Sequence, residues 1–511
     1  MNDNKKIAKN SLILYARLLI VSVCSLFTTK YALKALGVDD FGLFSVVGSV
    51  IVFMAIINTI MVSTSTRFIT VALGKGDIED ANKQFNINLI IHIVIAIATV
   101  VIALPLGEIY IHKFINYNGD IHNAVMVFRI SLIASAISFI GVPYNGLLMA
   151  KEKFIVFCSR DVFTAIIKLV VAILLVHYFD NKLLIYALTL GIVTAYPTVA
   201  FVIYCRKHYS EIVKFRLIRD KKRYKEVFTF SAWTAFGAIA TIARQQGAAL
   251  IVNSFFNTIM NTALGIANTV NVLITQFSQN ISKPIAPQIT KSYAVGDLKR
   301  CSTLMVMTSK YGFMLMLFIS AAFLVEPEWI LSLWLGDVPQ YTVTFLMLMT
   351  IDSLIMSMNM GIAEVINAHG NIKLFQISIN FFRLLSIVVA YLVLKAGSPP
   401  YSLFVVYIIF NIIIFFVRQW VLNKTVNFDN WILIKGAYIP SLIAFASLLP
   451  WILIDIPVSP VLTLVMMYTY LCIVILFIGL KKNERKNIFS FIQKQSYKFT
   501  ARIFARNTKQ K

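Results

Sequence analysis

Long apolar runs alternate with short polar loops along the whole chain. A run of about 20 apolar residues is long enough for a helix to cross a hydrocarbon core of roughly 30 Å. On that basis the pattern predicts spans near 11–33, 41–64, 85–107, 124–146, 155–178, 183–204, 227–252, 258–281, 303–325, 341–363, 374–395, 401–422, 436–456 and 458–480. The expected fold is all-α and polytopic, with about fourteen transmembrane helices. Lys and Arg collect in every second loop, while the loops between hold only Lys34, Lys113, Lys182 and Lys395. The positive-inside rule then places both termini in the cytoplasm.

Composition agrees with this reading. A chain with 59% hydrophobic residues and a mean hydropathy of +0.78 leaves more apolar surface than a soluble core could take up. The net charge of +24 sits in the short inside loops and the tail, so topology and anionic lipid explain it better than nucleic acid does. The first apolar run has span length and no small-residue cleavage site, so it is expected to stay as a signal-anchor. Cys24 and Cys472 fall within spans and Cys158, Cys205 and Cys301 at the inside, which gives no reason to expect a disulfide.

Short stretches recur in order. Ala35 to Val38 returns as Ala263 to Ile266, Ile69-Thr70 with Gly76-Asp77-Ile78 as Ile289-Thr290 with Gly296-Asp297-Leu298, and Ala150 to Phe154 as Ala368 to Phe375. Each falls in the equivalent place of a six-span unit, so the chain reads as a parallel duplication. The expected organisation is a first lobe over 1–215, a second over 216–425, two further helices over 426–480, and a basic cytoplasmic tail over 481–511. Ile488, Ile492, Phe499 and Ile503 share one face of that tail, as an interfacial helix would have them.

Two six-helix lobes suggest a cleft, and polar stripes inside spans suggest that it is wet. Ser231, Thr234, Gly237, Thr241, Arg244 and Gln245 lie within about 140° of arc on span 7, and Asn268, Asn271, Thr275 and Gln279 repeat at helical spacing on span 8. Seven cations are left unassigned to loops, with Arg160, Lys395 and Arg418 at span ends counted among the loop charges. Lys30, Arg129 and Lys310 lie near span ends, where snorkelling explains them. Arg17 points away from its helix's polar stripe and is also close enough to an end to snorkel. Lys168 stands roughly 20 Å into span 5, too deep for that, in line with Asp161 and Thr164. Arg383 shares a face with Gln376 and Asn380; it either contacts substrate or pairs with Asp352 across the hairpin. Arg244 has no evident carboxylate partner, which makes it the leading substrate contact, with bonding to backbone carbonyls of span 8 as the bland alternative. The candidate binding set is therefore Arg244, Lys168, Arg383, Gln245, Asn268, Asn271 and Arg17.

Unpaired cations in a membrane cleft imply an anionic passenger. Phosphate or pyrophosphate suits arginine forks, and the amide and hydroxyl stripes suit sugars, so a lipid-linked saccharide fits both. An enzyme acting on such lipids would need an extracytoplasmic active-site domain or paired carboxylates, whereas the outside loops stay at or below about 16 residues. The six histidines show no metal spacing and no phosphate-binding Gly-Lys-Ser/Thr loop occurs, so no cofactor is expected.

Leu36-Gly37-Val38-Asp39-Asp40-Phe41-Gly42-Leu43, Arg67-Phe68-Ile69 with Gly76-Asp77, the echo Pro287-Gln288-Ile289 with Gly296-Asp297, and Trp334-Leu335-Gly336 together resemble a known family. It is the polysaccharide-export branch of the multidrug/oligosaccharidyl-lipid/polysaccharide exporter superfamily. The resemblance implies a flippase of the bacterial inner membrane that moves an undecaprenyl-pyrophosphate-linked O-antigen or capsule repeat unit by alternating access, with membrane lipids, a polysaccharide polymerase and chain-length machinery as partners. Lipid II flippases and cation-coupled drug exporters of the same superfamily are the alternatives. The latter use carboxylates inside the first lobe, and here spans 1, 2, 3, 4 and 6 carry none at mid-span.

Overall fold

The computed structural model describes residues 3–114, 120–256, 258–454, 457–479 and 485, and among these every regular element is a helix. In chain order they are α1 (Asp3–Gly74), α2 (Ile78–Phe114), α3 (Ile121–Ala150), α4 (Phe154–His177), α5 (Lys182–His208), α6 (Ser210–Val213), α7 (Lys221–Phe255), α8 (Thr258–Ala294), α9 (Leu298–Val325), α10 (Pro327–Leu335), α11 (Thr342–Ser357), α12 (Met360–His369), α13 (Lys373–Lys395), α14 (Ser402–Val426), α15 (Asn430–Leu433), α16 (Ile439–Leu453) and α17 (Pro460–Val474). The expected interfacial helix of the tail lies outside the described residues, apart from residue 485.

Burial is inverted relative to a soluble protein. On α2, Val94, Ile97 and Val101 follow one another at helical spacing and are exposed, whereas Asn82, Asn86, Asn88 and His92 on the same helix are buried. Such a surface requires an apolar solvent, and the chain is a multi-pass membrane protein. Ten helices are long and apolar enough to cross, or eleven if α11 and α12 form one span bent by 44°. That count among the described residues is below the fourteen spans expected. α4 is not among the ten, since it carries Arg160, Asp161 and Lys168; nor is α8, which is rich in Asn, Gln, Ser and Thr.

The breaks have local causes. Expected spans 1 and 2 are two limbs of α1, parted at Gly37, whose φ of 77° and ψ of −179° only glycine adopts readily. The bend between α11 and α12 falls at Met358 and Asn359, and Tyr438 donates to Asn359 Oδ1 at 2.7 Å. The last two spans each contain a π-helical turn, Ile434–Tyr438 and Ile475–Gly479.

The recurring sequences fold alike. At the end of α1, Gly76 takes φ 75° and Asp77 accepts a hydrogen bond from the Asp80 N–H at 2.8 Å; at the end of α8, Gly296 takes φ 78° and Asp297 accepts from Arg300 N–H at 2.9 Å. Each turn is a glycine C-cap followed at once by an aspartate N-cap. The two turns also touch, since a Cβ added to Gly74 would lie 3.1 Å from the Cβ of Ala294, its counterpart. A residue in contact with its own equivalent lies close to the axis relating the copies, and the small side chains there permit the approach.

The connection between the halves is strapped to α2. Asn82 donates to the carbonyls of Glu211, Ile212 and Lys214, and Asn86 donates to Lys214 and accepts from the Arg216 N–H. Bonds to the main chain of this kind satisfy a segment that has little regular structure of its own.

Candidate functional site: a cationic cavity between the halves

The halves meet at the Lys- and Arg-rich end. Tyr15 on α1 donates to Phe277 O at 2.9 Å, and Ser231 on α7 to Thr64 Oγ1 at 3.2 Å. Arg67 donates through Nε to Asn367 O at 2.5 Å and through Nη2 to Ala368 O at 3.4 Å, its guanidinium lying between the rings of Phe68 and Phe230. Across the same end, Glu152 receives Lys291 Nζ at 2.6 Å, Gln288 Nε2 at 2.8 Å and Lys6 Nζ at 2.9 Å, with its own side chain 1% exposed. Burial alone pushes the Glu152 carboxyl up. Hydrogen bonding and charge from Lys291, with hydrogen bonds from Lys6 and Gln288, outweigh that and hold it below the usual carboxylate range.

Between the halves lies a cavity of about 1520 Å³. α1, α3 and α4 line it from one side, and α7, α8, α9, α11, α12, α13 and α14 from the other. Among the described residues six cations reach its wall: Arg17, Arg67, Arg244, Lys283, Arg383 and Arg418. Two carboxylates do so, Asp352 and Glu364. Met149, Met316, Met349, Met356 and Met360 supply much of the apolar surface.

The structure brings most of the expected residues to this cavity and assigns them different partners. Arg244 was expected to lack a carboxylate, but its Nη2 lies 3.2 Å from both oxygens of Asp352, while Nη1 donates to Asn411 Oδ1 at 3.3 Å. The guanidinium also stacks 4.1 Å from the Tyr407 ring centroid. The expected Asp352–Arg383 pair is therefore not formed. Asp352 does stand at the right depth, but α13 packs on α7, so Arg383 meets Thr241 at 3.0 Å and its own-helix neighbour Asn380 at 3.2 Å. Arg244, one turn along α7 from Thr241, is the side chain that reaches Asp352.

Arg17 was expected to snorkel. Instead it lines the cavity and binds Asp161, with Nε to Oδ2 at 2.7 Å and both side chains 22% exposed. A carboxylate within reach removes the reason to run to the interface. Gln245, Asn268 and Asn271 all lie on the wall, and Asn271 accepts from Ser353 Oγ at 3.1 Å. Lys168 is not on the wall, although it shares a helix face with Asp161. Of two other cations expected to snorkel, the second differs from that expectation. Arg129 pairs with Glu108 at 2.6 Å, and Lys310 is 2% exposed within the protein rather than extended to the surface.

Four charged wall residues were missed because the expected spans end close to them. Arg67, Lys283, Glu364 and Arg418 all read as loop charges, yet all line the cavity. Arg418 is the deepest error, since α14 continues to Val426 and buries it to 6% exposure. The apolar Trp420, Val421 and Leu422 beyond it were the available signal. Glu364 accepts from Ser282 Oγ at 2.7 Å and makes no ion pair among the described residues.

The fold, long helices around a cavity, is similar to that of solved MATE transporters. A mutant of a MATE protein superposes with a TM-score of 0.74 at 12% identity, over 84% of this chain and 98% of that one. An outward-facing multidrug resistance MATE family transporter of the MOP superfamily gives 0.72 at 11% identity, over 83% and 97%. A MOP superfamily transporter from Pyrococcus furiosus, described as having a binding pocket of reverse polarity that suggests a different function, gives 0.66 at 13% identity over 83% and 96%. No protein-family model and no curated protein matches the chain.

Proposed function

We propose that this protein is an exporter that carries a polyprenyl-pyrophosphate-linked oligosaccharide across the bacterial inner membrane by alternating access, both termini being cytoplasmic. The observation that carries the reading is the charge of the cavity wall, six cations against two carboxylates, beside amide and hydroxyl groups on α7, α8 and α11. Arginine forks match phosphate oxygens, and Gln245, Asn268 and Asn271 suit sugar hydroxyls. The fold supports transport, and the reversed pocket polarity named for the Pyrococcus furiosus transporter gives a precedent for a different cargo on this scaffold. A polysaccharide polymerase would take the carried unit on the far side, and this chain itself would perform no bond chemistry.

A second reading, export of small drugs coupled to a cation, draws on the multidrug neighbours and on Glu364, a carboxyl on the cavity wall whose hydrogen-bond partner among the described residues is Ser282. Cells lacking the protein separate the two. Complete lipid-linked repeat units building up on the inner leaflet, beyond the reach of a glycosidase added to spheroplasts, support flipping. Complete units outside but unpolymerised point to an enzyme, and unchanged lipid-linked sugar overturns the flippase reading in favour of drug export.

A further inference from the structure

The cavity's cations divide into committed and uncommitted groups. Arg17 and Arg244 are neutralised by Asp161 and Asp352, and Arg67 spends its donors on the Asn367 and Ala368 carbonyls. Lys283 donates to Asn280 and adjoins the Ser282–Glu364 contact. Arg383 and Arg418 remain.

Arg418 is 94% buried, yet its described contacts are Met356 Sδ at 4.0 Å from Nη2 and the Phe375 ring at 5.9 Å, and its Nε is buried without a partner. Arg383 bonds Thr241 and Asn380 through Nη1 alone among its described contacts. The two lie at similar depth. Arg383 is roughly 15 Å from the start of α13 and Arg418 about 12 Å from the end of α14, both measured from the same end of the molecule. Both line the same cavity from the packed neighbours α13 and α14, and Arg244 and Asp352 line it too. Three cations and one carboxylate leave an excess of two positive charges at the cavity wall.

We propose that Arg383 and Arg418 form a docking subsite for a diphosphate group, and that the Arg244–Asp352 pair frames it without binding the anion. This rests on the anionic-headgroup reading above and deepens it. A diphosphate diester carries two negative charges, which equals the local excess, and two guanidiniums can each offer a fork to one phosphate. A buried, unpartnered arginine is costly unless an anion completes it, so the site favours a ligand that brings its own charge and little water. The same chemistry is presented by a polyprenyl-linked and by a free diphosphate.

The test uses the full chain in lipid nanodiscs, with calorimetric titration of farnesyl diphosphate and of inorganic pyrophosphate. Arg418→Gln and Arg383→Gln are each expected to weaken binding at least tenfold, Arg418→Lys by less than Arg418→Gln, and Lys168→Met, off the cavity wall, to leave it unchanged. Tighter binding of farnesyl diphosphate than of pyrophosphate, with the same arginine dependence, would support the subsite with a lipid-linked source. If wild type binds while both glutamine variants bind equally well, the subsite is wrong and the anionic reading stands. If wild type binds neither probe, both fall. Should Arg418→Gln fail to fold by thermal melt, Arg418→Lys and Arg383→Gln carry the comparison.

Discussion

Glu152 and Gly370 hold equivalent positions in the two copies, and both have left-handed backbone, with φ of 57° and 96°. A left-handed glycine is ordinary, whereas a left-handed glutamate is uncommon and costs of order 1–3 kcal/mol. The two loops also do equivalent work. The one bearing Glu152 reaches the end of α8, and the one bearing Gly370 reaches Arg67 at the end of α1's second limb. In one copy a side chain makes the contact; in the other, backbone carbonyls do.

Glu152 joins three partners from two halves, so Glu152→Gln is expected to loosen closure at the Lys- and Arg-rich end. Its cationic partners are about a third exposed, so the loss is discounted to about 1–2 kcal/mol, enough for a roughly tenfold shift in population. Spin labels at Lys75 and Val295, in opposite halves at that end, would gain a longer distance component. An unchanged distribution would show that Glu152 does not hold the halves together.

The same contact predicts a pH response. Because the Glu152 carboxyl lies below the ordinary value of about 4.3, its stabilisation is fully present above that value and lost as pH falls through its own lowered value. The label distance should thus stay constant from about pH 8 to 5 and lengthen only in the acid range below. Lengthening near pH 6 to 7 would implicate a different group.

Gly370→Ala should destabilise the protein by about 1–3 kcal/mol, since φ of 96° strains any L side chain and the new Cβ would run into the Arg67 guanidinium. Glu152→Gly should relieve backbone strain and still lose closure. Thermal melts and the same label pair separate the two effects.

For the Arg244–Asp352 pair, Asp352→Ala leaves a guanidinium 11% exposed with Asn411 and the Tyr407 carbonyl as acceptors, at an expected cost of about 3–5 kcal/mol. Replacing both residues by Met should cost less than the sum of the single changes. A double-mutant cycle on chemical or thermal unfolding measures the coupling, and strict additivity would show the pair is not a unit.

Lys168→Met should leave export within about twofold of wild type, because the side chain is off the cavity wall and its electrostatic link is to Asp161 on its own helix. Loss of export with a normal melting temperature would return Lys168 to the binding set.

Most of the fold was legible because the membrane makes hydrophobicity, a one-dimensional property, decide where helices lie. The recurring turns were legible where backbone geometry demands particular residues, as at Gly76-Asp77 and Gly296-Asp297. The missing loop between spans 1 and 2 was not, since a single φ at Gly37 replaces it. Within the site, helical spacing brought Arg244, Gln245, Asn268 and Asn271 to one cavity. Partner choice was hidden, because whether Asp352 meets Arg244 or Arg383 depends on which helices pack side by side, and depth alone does not tell. Arg418 was hidden by the assumption that a cation after an apolar run marks its end.

The five methionines of the cavity wall give it a plasticity that its arginines lack. Thioether side chains are unbranched and polarisable, and they repack around whatever lies against them, whereas a guanidinium fork accepts only a narrow set of oxygen geometries. Such a wall screens its contents by charge and tolerates variety in shape. On the transport reading, a scaffold of this kind changes cargo by trading a few polar side chains, with its helices left in place.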